Sequence, residues 1–88
     1  MEEREIQDTY EAAFYIMHGA EIVSIRTEPV PYKEINKKLY KNQWFILLKD
    51  IPVKCIEAWK TGKVFGNLFY FSRARRKIKR FAYMKGIR

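Results

Sequence analysis

The chain has one cysteine, Cys55. A small oxidised scaffold needs paired cysteines, so a disulfide framework is excluded and a reducing compartment is expected. Cys55 reads as helix packing, because no histidine lies near it in sequence to activate the thiol. Histidine is as scarce: His18 stands alone. One histidine, one cysteine and scattered acids do not make a metal-ligand cluster. His18, beside Gly19, is expected to be a partner for a helix C-terminal dipole. The four glycines are dispersed, which excludes a phosphate-cradling loop. No nucleophile motif surrounds Ser24, Ser72 or Cys55. Glu2, Glu3 and Glu5 lie in an acidic lead-in, where paired acid–base work is not expected. These absences predict a protein that is not an enzyme, with no cofactor and no metal. Long apolar runs are missing too: none approaches the roughly eighteen residues of a membrane span. The opening MEEREIQD has no hydrophobic core of a secretory signal. The expected location is the cytoplasm, or the host cytoplasm if the protein is viral.

What is present is a core-forming composition with a lopsided charge. The 88 residues are 48% hydrophobic and 16% aromatic, enough for one small domain over 1–88. The net charge is +8, with 18 bases and 10 acids. Residues 1–71 hold ten of each. The whole excess therefore sits in the final seventeen residues, on Arg73, Arg75, Arg76, Lys77, Lys79, Arg80, Lys85 and Arg88. Such a surplus points to a polyanion.

That basic stretch has a helical rhythm. Phe71, Ala74, Ile78, Phe81 and Ala82 recur on one side of a 3.6-residue repeat. Asn67 suits its N-cap and Gly86 its stop. Upstream, Asp8-x-x-Glu11 has the form of a capping box, and Tyr10, Ala13, Phe14 and Met17 keep helical spacing up to Gly19. A helix over 9–18 follows. Val23 and Ile25 alternate with Ser24 and Arg26, which predicts a strand over 21–27. Pro29 and Pro31 exclude a central strand there. Residues 29–42 read as a Lys-rich loop or short helical insertion, since Tyr32, Ile35 and Leu39 keep helical spacing. Residues 43–49 form the most hydrophobic strand. Trp44, Ile46 and Leu48 point one way, Phe45 and Leu47 the other. It is expected to pair antiparallel with 21–27. Asp50-Ile51-Pro52 suggests a helix entry, with Val53, Ile56 and Trp59 as the buried face and Gly62 as the stop. Residues 63–66 read as a third edge strand or a turn, and 1–7 as a frayed lead-in. The expected class is α+β: α-β-β-α-(β)-α, a hairpin or short sheet packed by helices and ending in a long basic helix.

The stretches Asp8–Gly19, Trp44–Asp50 and Asn67–Tyr83 together resemble a small uncharacterised domain family of bacterial, archaeal and phage genomes. Its members open with a Thr-Asp-like cap, an Ala-Ala-Phe/Tyr-Leu helix and a glycine. They continue with a Phe-rich strand ending in Asp and finish on a Lys/Arg-rich helix. The resemblance spans roughly residues 8–84 and carries over no catalytic residues. It implies a phage or mobile-element accessory protein, and a shorter connection than 29–42.

Two readings of the basic helix remain. In one it is solvated surface, meeting the acidic N-terminus. In the other it contacts phosphates: Arg73, Arg76, Lys77 and Arg80 share one arc, Arg75 and Lys79 an adjacent one. The second makes the protein a nucleic-acid binder, of DNA or RNA, acting through backbone phosphates. A helix-turn-helix over 52–62 and 68–83 stays open, although its connection is long. Tyr70 and Tyr83 could stack on single strands, though core packing is expected for aromatics. A membrane partner is not expected, because the helix's apolar stripe is needed in the core. The alternative is a protein-interaction module, a phage-encoded inhibitor or oligomer subunit, docking its basic face on an acidic protein. Strand addition at the hairpin edge would allow a homodimer.

Overall fold

The computed structural model describes residues 2–34 and 37–86, with 30–34 and 37–42 described by their backbone alone. In chain order the elements are β1 (Glu2–Ile6), α1 (Thr9–Met17), β2 (Glu21–Glu34), β3 (Lys37–Ile51), α2 (Val53–Thr61) and α3 (Leu68–Met84). The three strands form one antiparallel sheet in the order β1-β3-β2, so the fold is a small α+β domain.

The apolar strand is central, as its two-sided hydrophobicity requires. Ile46 faces Ile6 across one ladder and Ile25 across the other. All three are buried, together with Leu48, against the helices. On the opposite face Phe45 and Leu47 are half-buried. There the Arg26 guanidinium lies 4.1 Å from the Phe45 ring centroid. Glu5 accepts from Arg26 at 2.7 and 3.0 Å, and Glu28 pairs with the same guanidinium. An arginine flanked by two carboxylates thus roofs the outer face.

Two expectations need correction. The acidic lead-in over 1–7 is not frayed. Glu2–Ile6 is an edge strand paired with Ile46–Ile51, because Ile6 gains a buried site that local pattern does not reveal. Residues 29–34 and 37–42 are strand rather than a loop or helical insertion, and 35–36 lie outside the described residues. The two strand segments continue both arms of the β2–β3 hairpin, from Glu21↔Lys49 outward to Glu34↔Lys37. Pro29 and Pro31 are accommodated because β2 is an edge strand. Since β1 pairs only with Ile46–Ile51, the outer half of the hairpin projects past it as a two-stranded arm.

α1 is the hub. Ala12, Ala13, Phe14, Tyr15 and Ile16 are all buried, so this helix is enclosed rather than laid on a surface. It packs on α3, β3, α2 and β1. Asp8 caps it, accepting from the amides of Tyr10 (2.8 Å) and Glu11 (3.3 Å). Glu11 does not complete a capping box; its carboxylate accepts from the Tyr15 hydroxyl at 2.7 Å. Burial, together with that bond, pushes the Tyr15 phenol well above its ordinary value. α2 begins at Pro52 without a side-chain cap. Asp50 does not serve as one, and instead turns the chain with a φ of 59°. Cys55 lies on the buried face of α2, and burial raises its thiol pKa. The connection over 63–66 is irregular rather than a third strand. Gly66, at φ 137°, brings its backbone against the Met17 and His18 side chains, where a Cβ would collide with the Met17 methyl. His18 is held there, its Nε2 2.9 Å from the Phe65 carbonyl.

Candidate functional site

α3 forms as its pattern predicts. Asn67 accepts from the Phe69 amide at 2.7 Å, satisfying one of the first-turn donors. Ala74, Ile78 and Ala82 are buried, with Phe71 and Phe81 half-buried beside them. Sinking this stripe against α1 and β2 turns the remaining faces outward.

On the outward side Arg73, Arg76, Lys77 and Arg80 line one recess of ≈ 250 Å³. All four are exposed. No other described residue lines that recess. The ion pairs among the described residues are Arg4–Glu2, Arg26–Glu5, Arg26–Glu28 and Lys49–Glu21; none includes a base of α3. Four of the five acids in residues 1–11 are engaged elsewhere. Glu2 and Glu5 pair within the sheet region, Asp8 caps α1 and Glu11 holds Tyr15. Four like charges held side by side on a rigid helix create a focused positive potential.

Arg75 and Lys79 occupy the adjacent arc and line a different recess, with Tyr10 and Trp44. Arg75 is half-buried, its guanidinium 4.6 Å from the Tyr10 ring centroid. Lys85 lies at the helix end, its ammonium 5.7 Å from the Phe81 ring centroid. Arg88 lies outside the described residues. Six of the eight predicted bases therefore fall on two neighbouring faces of one helix.

Several exposed groups around α3 were expected in the core. Tyr70 is 56% exposed and Tyr83 85%. Leu68 and Phe69 are exposed beside Tyr70, and the Arg73 guanidinium lies 5.8 Å from the Phe69 ring centroid. Their exposure follows from position. Phe69 and Tyr83 fall off the Phe71–Ala74–Ile78 stripe, a signal already present in the spacing; Leu68 and Tyr70, three and four residues ahead of Phe71 and Ala74, continue it into the first turn, where they are exposed. The helix-turn-helix arrangement is not formed. α2 and α3 are joined by residues 62–67 and each packs on α1 rather than on the other.

Among the described residues no group of three or more His, Cys, Asp or Glu side chains is placed to hold a metal ion. No described helix is long and apolar enough to cross a membrane. No family model, curated protein or solved structure matches the chain.

Proposed function

We propose that the protein binds nucleic acid, mainly through backbone phosphates, using the outer face of α3. The observation that carries this reading is the recess lined solely by Arg73, Arg76, Lys77 and Arg80, with no carboxylate paired to any of them among the described residues. Guanidinium forks match phosphate oxygens, and each neutralised phosphate releases condensed counterion. The protein acts as a binder rather than a catalyst. The phage or mobile-element setting is what the family resemblance implies.

The test is retention of labelled DNA and RNA across a salt series. Binding weakens steeply with salt. Changing Arg73, Arg76 and Arg80 together to glutamine lowers affinity at least about tenfold and flattens the salt slope by about 0.7 to 0.9 per lost phosphate contact. The fold should survive, because all three side chains are exposed.

A second reading has its own support. Val64, Phe65, Leu68, Phe69 and Tyr70 are exposed together around the start of α3, an apolar group beside the basic face. That surface suits a protein-interaction module docking on an acidic partner. Absence of nucleic-acid retention at low salt, with recovery of an acidic protein, favours this reading.

A further inference from the structure

We infer that the cleft between the first turn of α1, β3 and α3 takes an unpaired nucleobase, which makes single-stranded nucleic acid the preferred ligand. This rests on the phosphate-binding reading and adds to it.

The cleft measures ≈ 440 Å³, within the range of small-ligand sites. Its walls are of three kinds. Tyr10 and Trp44 supply aromatic surface, and Ile78 an apolar floor. Arg75 and Lys79 supply cations from α3. Gln43 supplies an oriented amide. Its Nε2 donates to the Gln7 carbonyl and the Trp44 carbonyl, each at 3.1 Å. Its Oε1 accepts nothing among the described residues, so it is free to accept from a base N–H.

The aromatic wall is already held in place. Tyr10 stacks on Phe71 with the rings 7° from parallel and 6.1 Å apart, and Arg75 lies on Tyr10. A base placed against Arg75 extends an existing column, as unstacked bases do on aromatic and guanidinium planes, and Trp44 offers a separate aromatic wall. The Asp8 carboxylate also lines the cleft. It disfavours a phosphate inside, while Arg75 and Lys79 favour one beside them. The base therefore enters and its phosphate stays with the cations. Arg76 and Arg80 follow Arg75 and Lys79 by about 100° round α3, so the strand's next phosphates run round the helix towards the four-base recess. A duplex does not supply a base to this cleft unless it unstacks one, at a cost of a few kcal/mol.

The experiment measures binding of three labelled probes by fluorescence anisotropy at one fixed salt. They are a single strand of about twelve nucleotides, in DNA and RNA forms, its duplex, and an abasic strand of equal charge. The base-bearing single strand binds about tenfold tighter than the abasic strand of equal charge, the effect of one stacked base, and its margin over the more highly charged duplex is smaller. Trp44→Ala removes the difference from the abasic strand and leaves the salt slope unchanged. As a readout independent of any variant, the Trp44 indole N–H resonance of the wild-type protein shifts with the base-bearing strand and not with the abasic one. Equal affinity for all three probes with an unmoved indole resonance overturns the cleft assignment and leaves the phosphate reading standing. Binding of no probe at low salt overturns both.

Discussion

Arg75 of α3 lies over the ring of Tyr10 in the first turn of α1, 4.6 Å from its centroid. Phe71, one turn earlier on α3, stacks against the same ring. Tyr10 is thus clasped by two residues of the basic helix, and the clasp sets how α3 lies on the hub helix. Removing it with Tyr10→Ala should cost about 1–2 kcal/mol, the sum of one aromatic pair and one cation–π contact. The midpoint of urea unfolding checks this.

Glu5 and Arg26 make a second prediction. Hydrogen bonding to Arg26 holds the Glu5 carboxyl below its ordinary value. A carboxyl with a depressed folded-state pKa stabilises the fold above its unfolded value and loses that contribution as pH falls through the folded one. The loss therefore begins below about pH 4.5. Denaturation midpoints from pH 7 to pH 2.5 or thereabouts should fall on the acid side. Glu5→Gln should lower the neutral-pH midpoint and flatten that acid limb. A variant with an unchanged acid limb would place the pH dependence elsewhere.

The two faces of β3 should respond unequally. Ile46 is fully buried between Ile6 and Ile25. Ile46→Ala should cost about 2–5 kcal/mol through lost burial and the cavity left behind. Phe45 is half-buried under Arg26 on the outer face, so Phe45→Ala should cost less than a core aromatic, whose loss is about 3–5 kcal/mol. Thermal melts of the two variants compare them directly.

Local signals were reliable where local physics decides. Asp8 and Asn67 both accept from first-turn amides as their positions suggest, and Gly62 closes α2 in the left-handed region. The 3.6-residue stripe of α3 matches its buried residues and so located its basic arcs. Failures came where distant pairing decides. Glu2–Ile6 has one apolar residue on its core side and becomes a strand only because residues 46–51 present an open edge. Tyr32, Ile35 and Leu39 keep helical spacing, yet the described backbone here follows the β2–β3 ladder. A strand partner several residues away supplies hydrogen bonds that no period in the sequence announces. The aromatic cleft was hidden for the same reason. Tyr10, Trp44 and Arg75 come from three separate elements. Alternation along the strand puts Trp44 on the Ile46–Leu48 side and carries no sign that it also borders an opening.

The two prolines of β2 bear on how copies behave when crowded. Residues two apart on a strand direct their backbone groups to the same side, and a proline has no amide to give. Pro29 and Pro31 therefore leave the outer flank of the hairpin without donors at alternate positions. A second copy of the chain thus finds no continuous row of amide donors along that flank, which works against edge-to-edge pairing there.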